Sequence, residues 1–158
     1  MQKSNLLIDT NWIVSEVELV YRSKIKPSQR PVIKQSRDAY DILLSNWDRN
    51  KIEFVEQFKV LYLNRGNRVI AIYEVSTGGL TGTVADPRLI YTTALKLNAT
   101  ALILCHNHPS GNHTPSTADR HLTEKIINAG KFLDIQVSDH IILTSEGYYS
   151  FSDEGILC

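Results

Sequence analysis

The chain has 158 residues with 17 basic and 17 acidic side chains, so its formal net charge is zero. That length suits one domain with a buried core, and the neutral balance removes any global electrostatic case for nucleic-acid binding. The two cysteines, Cys105 and Cys158, are too few for a disulfide framework; with no charged-then-apolar leader and no apolar run of membrane-spanning length, a cytoplasmic protein is expected.

In chain order, residues 1–11 are mixed, with Leu6, Leu7 and Ile8 as a possible docking point. Residues 12–21 are β-prone and predict a strand that adds to a sheet edge or to a second copy, so a homo-oligomer is one expectation. Residues 22–37 hold six basic and no acidic side chains, whereas the segment from Ser110 onward carries more acids than bases. The basic stretch predicts a solvated loop; without interleaved aromatics it lacks the stacking signature of a single-strand binder.

Residues 36–47 predict a helix capped by Ser36, with Ala39, Ile42, Leu43 and Trp47 on one side. Residues 58–63 and 69–75 predict a hairpin turning at Asn64, Arg65, Gly66 and Asn67. The loop at 76–83 contains Gly78, Gly79 and Gly82 but not the spacing or lysine of a phosphate-binding loop. Asp86 and Pro87 predict the start of a helix running to Leu97, with Leu89, Ile90, Ala94 and Leu97 inward.

The next run, residues 100–105, is aliphatic and suits a buried strand. It leads into His106, Asn107 and His108, then seven residues, Ser116, two residues and Asp119. Side chains at i and i+2 of a strand share a face, so His106 and His108 are expected to project together. Thr114 and Pro115 predict a helix start, with Leu122, Ile126 and Ala129 at helical spacing and Gly130 as its stop. Two imidazoles and one carboxylate on converging elements predict a catalytic zinc site with an open fourth position. Ser116 is too weak a zinc ligand and is expected to hydrogen-bond a developing oxyanion or the reacting water. Strands are predicted at 135–137, 140–143 and 148–151. The residues alone leave Glu53, Glu56 and Glu74 open as the general base. His113 is expected to face solvent, His121 to lie on a different helix face from Asp119, and His140 to be hydrogen-bonded and half-buried. Cys105 is expected on the strand face opposite His106.

The pattern H-x-H-x7-S-x2-D resembles that of the JAMM (MPN+) metalloprotease superfamily, and His106-Asn107-His108-Pro109-Ser110-Gly111 resembles its RadC branch. Glu56-Gln57-Phe58-Lys59-Val60-Leu61 is similar to the family's E-x-F-x-V-L start; Asp86-Pro87-Arg88, residues 94–99 and Asp139-His140 resemble further landmarks. The resemblance implies an α/β fold, a mixed sheet flanked by helices in a cytidine-deaminase-like layout, over residues 51–158, with residues 1–50 as an N-terminal extension. It implies one Zn2+ held by His106, His108 and Asp119, with Glu56 as the base. The implied reaction is hydrolysis of a peptide or isopeptide bond in a protein substrate. The alternative is a DNA-associated protein without protease activity; residues 1–50 show no Gly-rich hairpin between helices, so DNA engagement through a helix-hairpin-helix is not expected. A binding module that performs no chemistry is a third reading. The letters HNH do not form an HNH endonuclease, and no Pro-Cys-x-x-Cys follows to support deamination.

Overall fold

The protein is described by a computed structural model, which covers residues 15, 18, 20–79 and 84–157. The strand expected at 12–21, the docking point at Leu6–Ile8, Gly82 and Cys158 fall wholly or largely outside the described residues. Helix α1 (Ser36–Ser45) precedes strands β1 (Gln57–Leu63) and β2 (Val69–Thr77), helix α2 (Pro87–Leu97) and strand β3 (Ala101–Asn107). Helix α3 (Thr117–Lys131) and strands β4 (Gln136–Leu143) and β5 (Tyr148–Ser150) complete the fold.

The five strands form one sheet in the order β2-β1-β3-β4-β5. The β3–β4 pairing is parallel and the others are antiparallel, which gives the mixed α/β sheet expected. Every residue of β1 and β3 is buried, as befits central strands covered on both faces. Alternation sends Ala101, Ile103 and Cys105 to the face that α1 covers with Ala39, Tyr40 and Leu43. It sends Leu102 and Leu104 to the other face, where Ile90, Tyr91 and Ala94 of α2 and Ile126 of α3 pack. Cys105 and His106 thus lie on opposite faces, as expected. Among the described residues no helix is long and apolar enough to cross a membrane.

Local chemistry sets most element ends. The hairpin forms where expected, with Asn64 Oδ1 accepting from Gly66 N and Arg68 N, both at 3.0 Å. Asp86 caps α2 by accepting from Arg88 N at 2.9 Å, and Asn98 closes it in the left-handed region, φ 51°. Ser36 is not the cap of α1. The cap is Gln35, because Asp38 Oδ2 reaches back to accept from Lys34 N and Gln35 N at 2.8 and 3.2 Å. In α2 the inward set differs too: Leu89 is 47% exposed, and Tyr91 is buried instead. Tyr91 Oη donates to Ile126 O at 2.6 Å, so α3 supplies the polar partner that makes burial of a tyrosine affordable.

The two strands expected at 135–137 and 140–143 are one strand, β4, whose register slips between its pairings with Leu102 and Ile103. Gly130 does not stop α3; it lies buried one residue inside the helix end. A Cβ there would run into Ile135 O and the Tyr91 hydroxyl. Gly130→Ala is therefore expected to destabilise the fold by about 1–3 kcal/mol through overpacking, read as a lower urea midpoint. An unchanged midpoint would mean that the α2–α3 contact relaxes freely.

Candidate metal centre

The ligand strand needs no special device to aim His106. β3 pairs through Asn107 with Leu143 of β4, and His108 N then donates to Leu143 O at 3.0 Å. The chain therefore stays in line past the strand end, and the i, i+2 relation of His106 and His108 survives. The turn follows at once: Gly111 N donates to His108 O at 3.0 Å, and Gly111 takes φ +77°, which favours glycine.

The helix that brings Asp119 starts two residues later than the Thr114 cap expected from the sequence. Ser116 is the cap: its Oγ accepts from Asp119 N at 3.1 Å, while Asp119 Oδ2 accepts from Ser116 N at 2.7 Å. This is a capping box with aspartate at the third helical position. The S-x2-D spacing of the motif is thus a helix-start signal as well as a chemical one. Ser116 Oγ also donates to Asp119 Oδ2 at 2.7 Å, which orients the carboxylate.

Three side chains now converge. His106 Nε2 lies 3.0 Å from His108 Nε2 and 3.2 Å from Asp119 Oδ1, and His108 Nε2 lies 3.8 Å from Asp119 Oδ2. Ligand atoms on a tetrahedral zinc with bonds of roughly 2.1 Å would stand about 3.4 Å apart. The observed separations bracket that spacing. No other grouping of three or more such side chains occurs among the described residues.

Proton positions sharpen the fit. His108 Nδ1 lies 2.6 Å from the carbonyl oxygen of Asn112, which can only accept. That nitrogen therefore carries the ring proton, and the neutral ring presents a lone pair at Nε2. His106 Nδ1 is engaged by His140 Nε2 at 2.9 Å, so its Nε2 is likewise the inward atom. Two imidazole nitrogens and a carboxylate facing one point repel one another unless a cation joins them. The cluster can hold a metal ion.

His140 is the site residue that the sequence reading undervalued. It is fully buried rather than half-buried, between Phe151, whose ring stacks at 4.7 Å, and Phe58. Burial, reinforced by His106, pushes its pKa well below 6.5. A histidine held neutral in the fold stabilises fully above its unfolded pKa, and that stability is lost as pH falls below it. Metal-free protein is therefore expected to lose up to about 1.4 kcal/mol per pH unit from this group below about pH 6.5. Urea unfolding across that range checks it, with a shallower slope for His140→Gln.

Asn107, between the two histidines, faces the other way and ties the strand to the segment before β1. Its Nδ2 donates to Ile52 O and Val55 O at 2.7 and 2.9 Å, and its Oδ1 accepts from Gln57 N at 2.7 Å. That segment carries two of the three glutamates considered. Glu56 is half-buried and lies two residues before Phe58, the β1 residue paired with His106. The Glu56 backbone is held by Gly78 N, which donates to Glu56 O at 2.8 Å. Glu53 accepts from Ser145 Oγ at 2.7 Å and lines a cleft of about 230 Å³ with His108 and Glu146. Glu74 is turned away: it bonds Thr77 and pairs with Lys59, which lies over Trp47 on the α1 face. His113 is half-buried, bonded to Thr144 Oγ1 at 2.8 Å, rather than solvent-facing, and His121 is exposed on α3.

The chain is similar to several known proteins. A UPF0758 protein of Flavobacterium johnsoniae is 52% identical over 101 residues, covering 64% of this chain and 44% of that protein. A UPF0758 protein of Symbiobacterium thermophilum is 37% identical over 145 residues, covering 92% of this chain and 61% of that protein. UPF0758 protein YfjY of Escherichia coli K12 is 43% identical over 102 residues, covering 65% and 64%. The chain thus spans less than two thirds of the length of each of these relatives. The family model described as "RadC-like JAB domain" matches residues 33–156, from just before α1 to just past β5, and the chain belongs to that family.

Proposed function

We propose that the protein is a zinc-dependent hydrolase that cleaves a peptide or isopeptide bond. The observation that carries the reading is the convergence of His106 Nε2, His108 Nε2 and an Asp119 carboxylate at tetrahedral-zinc spacing, with each ring's Nδ1 engaged elsewhere, by His140 and by the Asn112 carbonyl. A zinc ion held by these three groups would supply an acidified water and polarise the substrate carbonyl. Glu56 takes the proton from the attacking water and returns it to the departing nitrogen. Ser116 holds the Asp119 carboxylate in place and, when its hydroxyl turns outward, donates to the oxygen on which charge develops. Metal identity, reaction and residue roles are supported by the donor set and by the resemblance of the motif.

The test is zinc reconstitution followed by incubation with a proteome-derived peptide library, with new termini read by mass spectrometry. About one zinc per chain is expected, with cleavage that disappears in Glu56→Gln although zinc remains. Cleavage that survives Glu56→Gln but not Glu53→Gln would move the base to Glu53. Failure to take up zinc would remove the hydrolase reading altogether.

A further inference from the structure

The hydrogen bonds behind His106 run in one direction, and that direction is set from α3. Thr123 Oγ1 lies 2.6 Å from Asp119 O and 2.6 Å from His140 Nδ1. A threonine hydroxyl has one proton to give, and a backbone carbonyl can only accept. The proton therefore goes to Asp119 O, and Thr123 Oγ1 accepts from His140 Nδ1–H. The neutral His140 ring then has only a lone pair at Nε2, 2.9 Å from His106 Nδ1. His106 must supply the proton of that bond. Its own Nε2 is left with a lone pair beside His108 and Asp119.

We propose that the Thr123 hydroxyl, acting through His140, fixes the ring proton of His106 on Nδ1 and so holds its Nε2 lone pair toward the cation site. The proposal rests on the metal reading above for its purpose, but not for its geometry. Thr123 and His140 are positioning residues. They are buried at 3% and 0% exposure, and Phe151 and Phe58 pack against the imidazole of His140, so water does not offer that ring a competing partner. The chain of bonds also returns to Asp119, whose carbonyl takes the Thr123 proton while its carboxylate faces the site. Two of the three proposed ligands are thereby coupled through one hydroxyl. Ser116, the cap of α3, orients the first-turn carboxylate of Asp119 from outside; Thr123 orients the imidazole from within.

Two measurements test this. The first is the two-bond proton–nitrogen spectrum of the histidine rings in metal-free, nitrogen-15-labelled protein above neutral pH. His140 is expected to be protonated at Nδ1 only, with Thr123→Val shifting it toward a mixture of tautomers. Wild-type His140 protonated at Nε2 overturns the proposal. The second is zinc competition against a chromophoric chelator. Thr123→Val is expected to bind zinc about 10–100-fold more weakly, the usual cost of losing an outer partner of a ligand, and Thr123→Ser, which keeps the hydroxyl, is expected to restore binding. Equal affinity in wild type and Thr123→Val, or no rescue by serine, also overturns it. A purely structural Thr123 would lower the metal-free melting temperature without moving the ring-nitrogen signals. If wild type takes up no zinc the metal reading fails, while the ring-nitrogen spectrum still decides the direction of the bonds. If Thr123→Val does not fold, the wild-type spectrum and Thr123→Ser decide it.

Discussion

Asp119→Ala is expected to lose zinc and part of the fold's stability together. The carboxylate has two jobs: Oδ1 faces His106 Nε2 at 3.2 Å, and Oδ2 accepts from Ser116 N and Oγ, both at 2.7 Å. Removing it leaves two neutral imidazoles, too few for a catalytic zinc. Affinity is expected to fall by more than the 10–100-fold that an outer-partner loss costs. The start of α3 also loses its capping box, worth about 1 kcal/mol. Asp119→Asn separates the two effects, because its amide oxygen still accepts at the cap while the charge is gone. Competition titration and metal-free urea unfolding on both variants give the readout. Wild-type zinc affinity in Asp119→Ala would sink the ligand assignment.

The second large effect is expected at Asn107, which is fully buried and makes three hydrogen bonds to main-chain groups. Asn107→Ala strands two carbonyls and one N–H. At about 1–3 kcal/mol for each of the three buried unsatisfied groups, the loss is on the order of 3–9 kcal/mol. The same bonds set the path of residues 52–57, so the segment that carries the proposed base, Glu56, is expected to shift. A variant that folds at low temperature is expected to retain zinc, since His106 and His108 sit on intact strand geometry, but to lose cleavage. A fall of less than about 1 kcal/mol in urea unfolding would mean that water replaces the amide at little cost.

Much of this architecture can be read from local pattern. The hairpin, the Asp86 cap of α2 and the buried ligand strand all rest on interactions within a few residues. Two misreadings, the caps of α1 and α3, are local, and the others arise from a partner distant in the chain. Thr114 and Pro115 look like a helix start, but Ser116 and Asp119 satisfy each other better and move the start inward. Asp139 looks like a break in β4, yet it is buried because Ser150 Oγ donates to it at 2.6 Å and Ser152 N at 3.0 Å. Burial raises its pKa, partly offset by those hydrogen bonds. Tyr91 displaces Leu89 from the core because Ile126 offers its carbonyl from another helix. His140 could be noticed as a resemblance but not understood, since its partners, His106 and Thr123, lie 34 and 17 residues away. At the centre itself the two histidines and the aspartate meet as their spacing suggests, because strand alternation and a helix start are both short-range rules.

The face of β3 turned away from the metal centre carries a built-in reporter. Cys105 is fully buried, and burial pushes its thiol well above the ordinary range. Such a sulfur reacts only when the middle of the sheet parts from α1. In a Cys158→Ser background, alkylation kinetics at Cys105 would therefore clock whole-sheet opening from the face that holds no candidate ligand.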